Sequence, residues 1–152
     1  MSTLTPLVEA WDEAHREFAI ALNGVPDADL WKRAHPRLLS VGELAAHVAY
    51  WQAVWALGGG NANPDLATLP IQSPLLDAAA RYYTTNVDHA FVAPLGTSQV
   101  LAEVARIHEA AKAVAAAHEK DDPYPGQWGT WGNLVQYQAF HVAYHTGQAY
   151  SV

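Results

Sequence analysis

Apolar residues recur every three or four positions along most of this chain, and the recurrence stops wherever proline and glycine gather. Leu7, Trp11, Ala14, Phe18 and Leu22 fall on one face of a first helix, with Thr5 as its cap, Pro6 in its first turn and Asn23-Gly24 as its stop. One further helical turn is expected around Asp27 to Trp31. Ser40 to Glu43 has the spacing of a capping box, in which the serine accepts from the amide three residues on and the glutamate reaches back. The second helix then runs to about Leu57 and places Leu44, His47, Trp51 and Trp55 along one stripe. It ends at Gly58-Gly59-Gly60, where backbone entropy opposes continuation.

Ser73-Pro74 repeats the cap-and-proline start, so a third helix is predicted with Leu76, Ala80, Tyr83, Val87 and Phe91 buried, ending before Pro94. Thr97 opens a fourth helix with Val100, Val104, Ile107, Ala111 and Val114 at burial spacing, broken by the Asp-Asp-Pro-Tyr-Pro-Gly run from Asp121. Thr130 or Gly129 caps a last helix through Leu134, Tyr137, His141, Tyr144 and Gln148. No segment alternates apolar and polar residues over strand length, so the fold is predicted to be all-α, in one domain over residues 1–152. The linker over residues 58–73, extended, reaches roughly 50 Å, longer than a helix of this size. It can return the chain to the opposite end of the molecule. The helices on either side of it then run parallel, in an up-down-down-up order.

Composition removes several alternatives. Eight Lys and Arg against fifteen Asp and Glu give a net charge of −7 with no basic patch, which argues against nucleic acid as a partner. The absence of cysteine rules out disulfides and thiolate metal sites, leaving His, Asp, Glu or backbone oxygen to hold any metal. The start of the chain has no basic segment leading into an apolar run. The most apolar window, from Val41 to Leu57, is interrupted by Glu43, His47 and Gln52. The expectation is a cytoplasmic protein with no membrane span.

The candidate chemistry lies in histidines. His141 and His145, four residues apart on one helix face, can aim two ring nitrogens at one point, or can simply bond Gln138, Tyr144 or backbone carbonyls. His47 falls on the buried stripe of the second helix, where a lone imidazole needs a polar partner. Three imidazoles converging from two helices would satisfy one another by sharing a cation, for which Zn²⁺ or Ni²⁺ is best suited.

The segment SVGELAAHVAYW, with its capped helix and interior His47, followed far downstream by HVAYHTGQAY, resembles the DinB-like (YfiT-like) proteins. The resemblance spans nearly the whole chain in helix order and length. It implies a four-helix bundle of up-down-down-up topology with its long connection between helices two and three, often dimeric, with His47, His141 and His145 as ligands to Ni²⁺ or Zn²⁺. The wider superfamily includes transferases and isomerases that use low-molecular-weight thiols. This chain departs from the usual pattern in stopping at Val152, soon after Gln148.

Other residues carry weaker signals. His15 lies between Trp11 and Phe18 and either approaches the site or is a structural core histidine. His108 and His118 are placed on the fourth helix as partly exposed residues without a clear partner, and His35 and His89 on the surface. Glu43 could orient His47 or accept a proton near a metal, in competition with its capping role. Tyr144 and Gln148 are candidates to line a cavity, and Trp128 and Trp131 to wall its entrance.

A cation held by three neutral imidazoles keeps an open position that attracts an anion, either hydroxide for hydrolysis or an imported thiolate. The expected function is therefore a metal-dependent enzyme acting on a small molecule, by transfer of a low-molecular-weight thiol or by hydrolysis. A closed coordination shell would instead mark a metal-stabilised binding or interaction module.

Overall fold

The structure is a computed structural model that describes residues 2–82 and 90–152. Helix dominates: α1 (Thr5–Leu22), α2 (Asp27–Leu30), α3 (Val41–Leu57), α4 (Thr97–Ala115) and α5 (Trp131–Tyr150), with a two-residue strand pair, β1 (Pro123–Tyr124) and β2 (Gly129–Thr130), before α5. Among the described residues the all-α expectation meets this one small exception. The strand pair is antiparallel, and the Tyr124 hydroxyl donates to the Trp55 carbonyl, tying the turn to the end of α3.

The helix ends follow local chemistry closely. Ser40 and Glu43 form both halves of the capping box of α3, and Thr130 caps α5 by accepting from the Asn133 amide. Thr5 does not cap α1: Leu4 holds that position without a side-chain bond, and Ser2 orders the approach by accepting from the Leu4 amide and donating to the His118 carbonyl. At the start of α4, Thr97 donates its amide to Asp27 and its hydroxyl to the Val25 carbonyl, which fastens the α2 turn to α4.

The predicted third helix is not formed over its described residues. After Ser73 the chain makes a turn and then a short 3-10 helix over Ala78–Arg81, ending at Tyr82 in the left-handed region with φ 37°. Asp77 accepts from the Ala79 amide and starts this tight turn, while the Ala80 and Arg81 carbonyls point to α3 side chains, so tertiary bonds replace the helical ladder. Tyr83 and Val87 lie outside the described residues; Phe91 packs edge-on against Trp31. Among the described residues no α-helix lies between Leu57 and Thr97, where the sequence placed one.

α3 is the centre of the molecule. Every residue from Val41 to Ala56 is buried, so its histidine stripe is one of several covered faces. α1 lies along α5 and α3 along α4, with lighter contacts between α3 and α5 and between α1 and α4. Trp11, Phe18, Leu22, Tyr50, Leu75, Ile107 and Leu134 fill the core. Gly42 lets Trp31 lie directly on α3, since a Cβ there would come within 2.5 Å of the indole. On α5 the buried face is Leu134, Val135, Gln138, His141, Val142, His145 and Ala149; Tyr144, expected inside, is 55% exposed. Among the described residues no helix is long and apolar enough to cross a membrane.

Candidate metal centre

α3 and α5 bring His47, His141 and His145 together, all three buried. The Nε2 atom of His141 lies 3.1 Å from Nε2 of His47 and 3.1 Å from Nε2 of His145. The other ring nitrogens fix the tautomers. His47 Nδ1 is 2.8 Å from the Ala80 carbonyl, which only accepts, so the proton sits on Nδ1 and the Nε2 lone pair faces inward. His145 Nδ1 donates in the same way to Gln148 Oε1 at 2.6 Å. His141 Nδ1 is buried with no partner among the described residues.

This donor set fits a cation. If His141 carries its proton on Nε2, it can donate to only one of its two neighbours, and at least one lone pair stays turned into the cluster unsatisfied. A divalent ion accepting all three lone pairs removes that conflict, and the Ala80 and Gln148 oxygens already hold two of the rings as such ligands require. Burial, with the neighbouring histidines, lowers His47 to about 4 and His141 to about 2, and burial lowers His145. All three are therefore neutral at pH 7, the form that binds metal.

The triad opens onto a cleft of about 640 Å³. Trp128, Tyr144 and Gln148 line it, as the sequence suggested; Trp131 does not, and packs instead against Tyr124 and His118. Gln148, three residues after His145, is the ring's hydrogen-bond partner as well as a wall residue. The role of Ala80 has no signature in its side chain, because any residue offers a carbonyl.

Glu43 is not in the cleft. Its carboxylate is fully buried and accepts from the Ser40 amide, from Arg33 through Nε at 2.9 Å and Nη2 at 2.6 Å, from the Tyr82 hydroxyl at 3.2 Å and from the Phe91 amide at 2.9 Å. Burial pulls its pKa up, but Arg33 and the amide donors outweigh that and hold it below the usual carboxylate value. It thus anchors the chain on both sides of residues 83–89, next to the Ala80 carbonyl that orients His47.

A second histidine cluster lies elsewhere. His15 does not approach the triad, and His108, expected to be partly exposed, is buried: the rings stack at 3.8 Å and share Gln52 Oε1, at 2.6 Å from His15 and 3.3 Å from His108. His108 Nε2 also bonds Asp12 at 2.7 Å. Asp12, His108 and Glu109 stand close enough to hold an ion, but the Lys112 ammonium, 3.0 Å from Asp12 and 2.9 Å from Glu109, already supplies the positive charge there. His118 stacks on Trp131, His35 is exposed, and His89 lies outside the described residues.

Burial and the adjacent His108 lower His15 from 6.5 to about 3. Between those values the unfolded chain binds a proton that the folded chain refuses, so stability falls as pH drops from 6.5 toward 3. Going from pH 7 to pH 5 should cost metal-free protein about 2 kcal/mol through this residue, which Asp12, Gln52, His108 and Lys112 surround. Urea unfolding of wild type and His15→Gln at both pH values reads this directly. Parallel losses in the two proteins would show that His15 takes up its proton without unfolding.

Comparison with known proteins adds one finding. No curated protein and no solved structure matches the chain. A family profile described as the DinB superfamily matches residues 10–149, from α1 to the end of α5 and across all three clustered histidines. The chain belongs to the DinB superfamily.

Proposed function

We propose that this protein is a metal-dependent enzyme in which His47, His141 and His145 hold one divalent ion, Zn²⁺ or Ni²⁺, and that it transfers a low-molecular-weight thiol to a small electrophile. The observation that carries this reading is the convergence of three Nε2 atoms at a cleft open to solvent. When bound, such an ion supplies positive charge that favours the anionic form of a nucleophile.

The protein's own groups set the rest. The Ala80 and Gln148 oxygens hold His47 and His145 as Nδ1-protonated tautomers, and burial keeps all three rings neutral. Tyr82 remains protonated because burial and Glu43 raise its pKa, and its hydroxyl donates to Glu43, so it is no base. Among the described residues no carboxylate lines the cleft to deprotonate water. That favours a nucleophile that ionises easily, a thiol, over hydrolysis of a small substrate. In the transfer the S–H proton leaves to solvent, the sulfur electron pair forms the bond to the electrophilic carbon, and the leaving group departs with its bonding electrons.

The remaining parts of the proposal concern context. The four long helices are read as an up-down-down-up bundle, and the protein as a cytoplasmic homodimer, with exposed Ile20 on α1 and Tyr150 on α5, both outside the cleft, as apolar surface for a second copy. A monomer mass in light scattering across a wide concentration range would remove the dimer.

The test is direct. Untagged protein should carry about one Zn or Ni per chain by elemental analysis, and should join a small thiol to a chromogenic electrophile faster than free metal does. Turnover should vanish on chelation and return with metal. Metal binding without turnover on thiol, ester or amide substrates would favour a non-catalytic, metal-stabilised binding module.

A further inference from the structure

We propose that the cleft takes a small molecule with one flat apolar or aromatic body and a single anionic head group. This rests on the metal-site reading above and adds the class of ligand. The wall is a continuous series of rings. Trp51 stacks on Trp55 at 5.5 Å, Trp55 meets Trp128 edge-on at 5.7 Å, Trp128 stacks on Tyr137 at 4.1 Å, and Tyr137 lies nearly parallel to His141 at 5.6 Å. The ring wall therefore ends on a histidine of the triad. Phe140 and Tyr144, 63% and 55% exposed, form the lip.

Charge is the second observation. Among the described residues lining the cleft there is no Asp, Glu, Lys or Arg, and one of its two amides, Gln148, is engaged with His145. Arg81 stacks over Trp51 at 5.8 Å and bonds Asn63, and is not among the lining residues. A ligand bearing several charges would leave most of them unpaired against apolar rings, whereas a ring-bodied ligand gains stacking and edge contacts. A cationic body, which aromatic faces otherwise attract, would be disfavoured by the positive charge of an ion held at the triad. The volume of about 640 Å³ suits a small molecule. One head group faces the histidines and the body lies along the wall.

Benzyl mercaptan and 2-mercaptoethanol have thiols of similar acidity and differ in the ring, while glutathione adds carboxylates and an ammonium. Calorimetric titration of Zn²⁺-loaded, untagged protein should give benzyl mercaptan about tenfold or more the affinity of either other thiol. Trp128→Leu and Phe140→Ser should reduce that preference to about threefold or less; Phe140 is exposed enough that its loss leaves the core intact. The visible spectrum of Co²⁺-substituted protein reports separately whether the histidine site forms. Equal affinity for the three thiols, or tighter glutathione binding, with the cobalt spectrum present overturns the aromatic class and leaves the metal site standing. Absence of a cobalt spectrum overturns both. A preference that vanishes as the protein dimerises would mean that a second copy fills the cleft, and would also overturn the proposal.

Discussion

His47→Ala and His145→Ala each weaken divalent-metal binding by about a hundredfold or more, and Gln148→Ala weakens it by about tenfold. The reasoning is geometric. Each histidine contributes one of three inward nitrogens, and the apparent binding free energy of such protein sites is on the order of 10 kcal/mol, so losing one ligand removes roughly a third of it. Gln148 makes no inward contact of its own; it holds the His145 ring, and partners of that kind are worth about 10- to 100-fold in affinity. His35→Ala, an exposed position, serves as the control and changes nothing. Competition with a chromogenic chelator measures all four variants. The same affinity in His47→Ala as in His35→Ala would mean that the cluster does not bind the ion.

The largest loss of stability is expected at Glu43. Glu43→Ala should lower unfolding free energy by about 3 to 5 kcal/mol, because it takes the carboxylate from the Arg33 guanidinium, only 11% exposed, and leaves the Tyr82 hydroxyl and two amides without that acceptor. A double variant, Glu43→Leu with Arg33→Met, should recover much of that loss, since it removes both charges together. Metal affinity should fall with the single variant, because the chain that supplies the Ala80 carbonyl loses the Tyr82 tie to α3 and keeps only those made by His47 and Trp51. Urea midpoints with chelator competition test both effects. A loss below about 1 kcal/mol would show that water replaces the carboxylate.

Legibility in the sequence divided along physical lines. Features decided by neighbours within a few residues were readable: the Ser40–Glu43 box, the Thr130 cap, the Gly24 stop and the shared face of His141 and His145. His47 was readable because an imidazole on an apolar stripe demands a partner. Over its described residues the third helix did not form, because its periodicity was good while the Ala80 and Arg81 carbonyls were claimed by His47 and Trp51, residues 30 or more positions away. His108 was misplaced because its partners, Asp12 and Gln52, come from two other helices. The apolar run through all of α3 did carry a signal that one stripe does not describe. It marks a helix covered on every side, and so the place where the rest of the chain meets.

The position of the triad has a mechanical meaning. The molecule consists of two closely packed helix pairs, α1 with α5 and α3 with α4, and the contact between α3 and α5 is much lighter than either. His47 stands on one side of that seam, and His141 and His145 on the other. An ion held there would fasten together two halves of the protein through ligands that are separated by most of the chain. The cleft has walls on both sides of that seam, Trp51 and Trp55 on α3 and Tyr137 and Tyr144 on α5, so any change in the spacing of the two pairs would change its width. By linkage, an ion and a ligand that both favoured one spacing of the seam would each strengthen the binding of the other by the same factor.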